Sequence, residues 1–267
     1  QGVKVVHSLK DNDIDVILIT ETRKWLKSCA FDTLDVLNYL KNKPNTLVVF
    51  RVNECDERKG NKIKLLNKLI LETAKFSDKV IFISSWLRDL FVAKESTLKD
   101  KSVVIYNGAD PSIFNWQGRQ KWDKNKLLKI VTHHWGANWM KGFDIYLLLD
   151  ALIDKRYKDK IQFSYIGNLP KGVLFKKAKV ISPKFGGELA AELKKNHIYL
   201  TASINEPAGM HHIEGALCGL PILYRNSGSL PEYCKGFGIS FKGSGDFRQK
   251  LDLIMEKYDY FFEEMEK

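Results

Sequence analysis

One feature constrains this chain more than any other: strand-like and helix-like segments alternate along almost its whole length. Strands are expected at VKVV (3–6), DVILIT (15–20), TLVVFRV (46–52), KVIFIS (79–84) and SVVIYN (102–107), with helices over 31–41, 60–76 and 85–94. The pattern restarts at residue 127 with LLKIVTHH, followed by a helix over 141–154, then IQFSYIG, KVIS and a helix over 187–195. IYLTAS, a helix over 209–218, PILYR, a short helix near 229–234, GISF and one last helix over 245–265 complete it. Such alternation is the mark of parallel sheets covered by helices, so the expected class is α/β, with two Rossmann-like units.

Between the two runs, residues 108–126 (GADPSIFNWQGRQKWDKNK) carry turn residues and charge without sustained periodicity, which marks a linker. The expected domains are therefore 1–112 and 113–267, facing each other across a cleft, with the last helix free to pack back on the first. The opening Gln1-Gly2-Val3 reads as the end of a helix running into a second strand, so the first domain is expected to be incomplete at its start.

Composition narrows the function classes. The chain has 267 residues, 44% of them hydrophobic, which suffices for two modest cores. Its aliphatic runs are bounded by charge and fall short of the roughly 18 apolar residues of a membrane span. Residues 1–20 lack a secretory pattern, so a cytoplasmic location is expected, with a peripheral place at the inner face of a membrane left open. Cys29, Cys55, Cys218 and Cys234 form no C-x-x-C pair and are expected to be free thiols. The formal charge of +11 points to an anionic partner: nucleic acid, an anionic membrane or a phosphorylated small molecule.

The segment 198–232 carries the chemistry. A strand ends near Ser203, a loop holds Glu206 and Pro207, and a helix begins at Gly209, whose first amides lack intrahelical partners and attract a diphosphate. Glu206 and Glu214 bracket that position. Met210, Ile213, Glu214 and Leu217 share one helical face by spacing, which puts the Glu214 carboxylate where burial is expected and where it needs a donor or a ligand such as a ribose diol. Simple pairing with a nearby cation is the alternative. His211-His212 does not make a metal site, because adjacent helical side chains diverge by about 100°.

E-x7-E, followed by GALCGLPIL and then Gly228 and Glu232, resembles the signature of the retaining, nucleotide-sugar-dependent GT-B glycosyltransferases called group one or family four. The resemblance implies that Glu206 lies at the sugar end of the donor and Glu214 at the ribose hydroxyls, with amides from Gly209, Met210 and the neighbouring His211. Other stretches agree in order along the chain. Asn107-Gly108-Ala109-Asp110 with Phe114 resembles the N-G-x-D-x-x-x-F stretch that ends the first domain, Lys141-Gly142 resembles the diphosphate-binding lysine, and Ser84-Ser85 resembles the end of a first-domain strand. Where the family carries an arginine five residues before that lysine, this chain has Gly136. Either Lys141 works alone, or His133, His134 or Asn138 supplies donors. Trp135 and Trp139 read otherwise as core aromatics.

In the first domain, Arg51, Asn53, Glu54, Asp56 and Arg58 stand at the carboxyl end of a strand, where open parallel sheets bind ligands. Arg51, Asn53, Glu54 and Asp56 are therefore assigned to the acceptor side, in a region where the family often carries a histidine that is missing here. The resemblance implies hexose transfer from a UDP- or GDP-sugar to a glycan, lipid-linked or protein acceptor, with retention. Glu206 and Lys141 would serve catalysis, with no cofactor, no metal ligands and no nucleic acid partner. The alternatives are a nucleotide-sugar epimerase of similar fold, which E-x7-E disfavours, and a non-catalytic basic binding protein.

Overall fold

A computed structural model describes residues 2–60 and 64–266. The chain divides into two units, Gln1–Tyr106 and Asn107–Lys267. The expected boundary at 112/113 thus falls earlier, for a physical reason. Asn107 donates through Nδ2 to the Ala208 carbonyl at 2.8 Å and through its backbone N–H to the Tyr233 hydroxyl at 2.9 Å. Phe114 then buries its ring in the core of the second unit.

The first unit is a four-stranded parallel sheet of β1 (Val16–Ile19), β2 (Leu47–Val52), β3 (Lys79–Phe82) and β4 (Ser102–Val104), side by side in chain order. The connections run through α1 (Thr33–Leu40), α2 (Leu65–Phe76) and α3 (Ser85–Val92). Two helix starts are set by side chains. Asp32 and Asp35 accept each other's backbone N–H at 3.0 and 2.9 Å, and Ser84 accepts the Leu87 N–H at 3.1 Å. Ile17, Ile19, Val48, Phe50, Val52, Val80 and Phe82 alternate along the strands to build one buried face.

Two expectations fail here. VKVV (3–6) joins no sheet among the described residues, and Val3 and Val5 lie exposed, since an extended run without a ladder partner leaves its backbone to water. The helix expected from residue 60 starts at Leu65. Gly60 instead closes a 3-10 turn in the left-handed region at φ 67°, and residues 61–63 lie outside the described residues.

The second unit holds six parallel strands: β5 (Leu128–His134), β6 (Ile161–Gly167), β7 (Lys179–Ile181), β8 (Ile198–Thr201), β9 (Ile222–Arg225) and β10 (Gly238–Phe241). Their order is β10-β9-β8-β5-β6-β7. The chain therefore moves outward from β5 to β7, returns to the other side of β5 at β8, and continues outward. That reversal between β5 and β8 is where open parallel sheets bind ligands, outside the carboxyl ends of the strands. Helices α4 (Phe143–Lys155), α5 (Gly186–Leu193), α6 (Met210–Leu217), α7 (Leu230–Cys234), α8 (Ser244–Glu256) and α9 (Tyr258–Glu264) cover the sheet.

The single helix expected over 245–265 is broken at Lys257 into α8 and α9. Tyr258, fully buried in the core of the second unit, takes the Trp122 N–H on its hydroxyl at 3.1 Å, and the Arg119 guanidinium lies 3.6 Å over the Phe262 ring. The last helix thus packs on its own unit. The helix expected from residue 141 begins instead at Phe143, behind a 3-10 turn over Trp139–Lys141. In α6 the buried face is also different from the expected one. His211, His212 and Gly215 are buried, whereas Met210 is exposed, because Gly215 brings the helix down against the Tyr199 ring.

Candidate functional site

Two loops meet at the β5/β8 reversal. After β5, Asn138 accepts the Met140 N–H at 2.8 Å and sets the 3-10 turn that carries Lys141. Gly142 follows at φ 101°, so close to the strand extension that a Cβ there would lie 2.4 Å from the Ala202 carbonyl carbon. No other residue allows this approach without strain. The Met140 carbonyl then accepts the Ile204 N–H at 2.8 Å, which ties the two loops together.

Glu206 is held from its own backbone. The Ser229 N–H and hydroxyl both donate to the Glu206 carbonyl, at 2.8 and 2.9 Å. Gly228, in the left-handed region, passes so near that a Cβ would come within 2.4 Å of the Glu206 backbone. The result is a buried ion pair. Lys141 Nζ lies 2.7 Å from Glu206 Oε2, with side-chain exposures of 9% and 1%. Burying two charges is favourable only when each has a close partner, and this geometry supplies one.

The start of α6 adjoins that pair. Gly209 caps the helix without a side chain, so the first-turn amides of Met210, His211 and His212 have no intrahelical acceptor. A Cβ on Gly209 would stand 3.1 Å from Glu206 Oε1 and 2.5 Å from His211 Nδ1, which places the Glu206 carboxylate directly beside the helix start. Lys141, the α6 amides and the positive end of the helix dipole therefore surround one small region.

On the second turn of α6, Glu214 Oε2 lies 2.7 Å from His133 Nε2, and His133 Nδ1 lies 3.0 Å from the Tyr199 hydroxyl. His134 places Nε2 2.7 Å from the Tyr146 hydroxyl. His211 Nε2 is 2.8 Å from Thr201 Oγ1, and burial, reinforced by His134, His212 and Lys141, holds its imidazole well below the usual histidine range. Among the described residues neither nitrogen of His212 finds a hydrogen-bond partner, and burial pushes its pKa down to about 4. Both α6 histidines are neutral near pH 7. The side chains of Glu206, Lys141, His134 and His211 lie together by the start of α6, with Glu214 a turn further along. Asn138 is engaged in its turn, and Trp135 and Trp139 are exposed at 67% and 50%, not core aromatics.

Tyr199 joins this cluster through His133. Within IYLTAS it reads only as an apolar strand residue, and its link to His133 joins β8 to β5 with no local signal.

In the first unit, Arg51, Asn53 and Glu54 line a small concavity with Thr20, Glu21 and Arg23 at the carboxyl ends of β1 and β2. Arg23 grips Glu21 with two bonds of 2.7 Å, and Arg58 grips Glu54 with two of 2.8 Å. Asp56 is committed to structure: its carboxylate accepts the Asn67 N–H at 2.9 Å, and Asn67 Oδ1 accepts the Asp56 N–H at 2.9 Å, bracing α2. Among the described residues no group of three or more His, Cys, Asp or Glu stands where it could hold a metal ion, and no helix is long and apolar enough to cross a membrane. The four cysteines are free, and burial pushes the Cys55 and Cys218 thiols up to about 12.

Comparison with solved structures places this architecture. Anabaena HepE in complex with UDP and glucose superposes with a TM-score of 0.66 at 15% identity, over 94% of this chain and 71% of that one. The catalytic domain of starch synthase IV from Arabidopsis thaliana, bound to ADP and acarbose, superposes with a TM-score of 0.64 at 12% identity, over 94% and 68% of the two chains. This chain has the GT-B fold. A single-residue mutant of S. aureus TarM, in complex with fondaparinux, alpha-GlcNAc-glycerol and UDP, superposes with a TM-score of 0.64 at 15% identity, over 84% of this chain and 46% of that one. No family model matches the sequence, and no curated protein matches it.

Proposed function

We propose that this GT-B chain is a glycosyltransferase that moves a hexose from a nucleotide diphosphate sugar, a UDP- or GDP-sugar, to a carbohydrate-type acceptor, with retention of anomeric configuration and without a divalent metal. The observation that carries the reading is the buried Lys141–Glu206 pair beside the uncapped start of α6. Each member can exchange its partner for a complementary part of a donor. The diphosphate takes Lys141 and the α6 amides, while the sugar hydroxyls take Glu206. The Glu214 carboxylate, a turn further along, is placed for the ribose diol.

In such a reaction the bond between the sugar's anomeric carbon and the phosphate oxygen breaks, its electron pair stays on the diphosphate, and the acceptor hydroxyl forms the new bond on the same face. The acceptor's proton passes to the departing phosphate. Lys141 and the helix start stabilise the growing negative charge in a region sheltered from water, where such interactions are strongest. Arg51, Asn53 and Glu54 of the first unit are assigned to the acceptor. UDP in complex with HepE and TarM, and ADP with starch synthase IV, support a nucleotide donor.

The test is release of nucleoside diphosphate from a panel of UDP-, GDP- and ADP-hexoses, with the product anomer read by proton NMR. Release from at least one donor, lost in Lys141→Met, is the expected result. Interconversion of the donor sugars without transfer would instead mark an epimerase.

A further inference from the structure

The hydrogen bonds behind Glu214 fix more than its position. The His133 backbone N–H donates to the Tyr199 hydroxyl at 3.2 Å, so the phenol oxygen is already an acceptor there and its own proton must go elsewhere. The Thr132 hydroxyl is a further donor to that oxygen, and two acceptors are near: His133 Nδ1 at 3.0 Å and the His133 carbonyl at 3.5 Å. The shorter contact lies inside the normal range and the longer at its edge, so the phenol donates to Nδ1. Tyr199 is fully buried, and burial holds its phenol well above the usual range, so that proton stays in place.

A histidine that accepts at Nδ1 carries its proton at Nε2. That proton points at Glu214 Oε2, 2.7 Å away. None of the described residues donates to Oε1 of the same carboxylate. We propose that Tyr199 and His133 form a fixed relay that selects the His133 tautomer and orients the Glu214 carboxylate, leaving Oε1 to accept the cis-diol of a ribose. Both are positioning residues: His133 acts through Glu214, and Tyr199 through His133. This inference rests on the reading of Glu214 as the ribose acceptor. It adds that recognition of the 2′-hydroxyl depends on residues of β5 and β8 that need not touch the nucleotide.

The arrangement has a cause in the fold. Gly215, one residue beyond Glu214, has no side chain, and a Cβ there would lie 2.5 Å from the Tyr199 ring. That contact sets α6 at the depth where Glu214 meets His133.

The experiment is calorimetric: affinity for UDP and for 2′-deoxy-UDP, with GDP and its 2′-deoxy form, and ADP with its own, as parallel probes. The ratio of ribo to deoxy affinity is the readout, because general loosening of the unit weakens both ligands alike and leaves the ratio unchanged. The wild type is expected to prefer the ribonucleotide about tenfold, the scale of one charge-assisted hydrogen bond. His133→Leu and Tyr199→Phe should bring the ratio close to one. His133→Gln, which returns an N–H donor near the place of Nε2, should recover most of it. Thermal unfolding of each variant confirms that it is folded, and His133→Gln keeps the test valid if the leucine variant is not. A ratio that collapses in Glu214→Gln but persists in both His133→Leu and Tyr199→Phe overturns the relay alone. A ratio near one already in the wild type, unchanged in Glu214→Gln, overturns the ribose reading on which the relay rests, and the relay with it.

Discussion

Glu206 and Lys141 reach each other from two different loops, their charged atoms 2.7 Å apart and almost wholly shut off from water. Removing either partner takes an opposite charge from the other, which stays buried, a loss that typically costs about 3–5 kcal/mol. Lys141→Met and Glu206→Gln should each lower stability by roughly this amount, while the double variant should recover a large part. Urea unfolding of the four proteins gives the coupling energy. Additive losses would show that the two charges are stabilised by other groups.

The two glutamates should separate in function. Glu214→Gln removes the charge from a proposed acceptor of ribose hydroxyls, so affinity for the nucleoside diphosphate should fall by roughly 1–3 kcal/mol, in product and donor alike. Glu206→Gln should lower turnover while product affinity hardly moves, because its contact is with the sugar, where charge and geometry change most in the transition state. Calorimetry beside steady-state turnover distinguishes the two. Equal loss of nucleotide affinity in both variants, with turnover intact in Glu206→Gln, would favour carboxylates that merely brace the loop before α6.

His212 makes a prediction about acid. Its folded pKa is lowered from 6.5 to about 4, chiefly by burial, with Lys141 and His133 acting in the same direction and Glu206 against. Between those values the unfolded chain binds a proton that the folded chain refuses, so stability falls as the pH drops from 6.5 toward 4. His212→Leu also removes two buried nitrogens that have no partner among the described residues. It should match the wild type at pH 7 and exceed it at pH 5 by roughly 2 kcal/mol, from the 1.36 kcal/mol per pKa unit. Parallel acid slopes for the two proteins would show that the ring is solvated or protonated in the fold.

Much of this was legible beforehand, and the reasons differ by residue. Strands such as KVIFIS and IQFSYIG announce themselves because buried parallel strands are continuous in apolar residues. The Lys141-Gly142 turn and the Glu206 loop could be located because glycine, proline and a helix start sit at fixed offsets. What could not be read was long-range pairing. That Lys141 meets Glu206, and that Tyr199 stands behind His133, depends on strand order, with β8 returning beside β5, and no local pattern encodes that. VKVV failed as a strand because propensity supplies no ladder partner, and the last helix failed as one element because Tyr258 turns inward to a core that sequence spacing does not reveal.

Metal independence is open to a simple assay. With Lys141 and the α6 amides proposed to take the leaving diphosphate, sugar transfer should proceed undiminished in excess EDTA. Loss of activity in the chelator, restored by manganese or magnesium, would show that a cation shares that work and that the electrostatic role given to Lys141 is incomplete.

The central claim is that a nucleoside diphosphate binds the second unit at Lys141 and the start of α6. Its most direct measurement is calorimetric titration of the 267-residue chain with UDP, GDP and ADP, for the wild type, Lys141→Met and Arg51→Ala. At least one nucleotide should bind the wild type with one-to-one stoichiometry, lose at least tenfold in affinity in Lys141→Met, and bind Arg51→Ala as tightly as the wild type. Binding that survives in Lys141→Met but is abolished in Arg51→Ala would put the nucleotide on the first unit and contradict the account, as would the failure of all three nucleotides to bind.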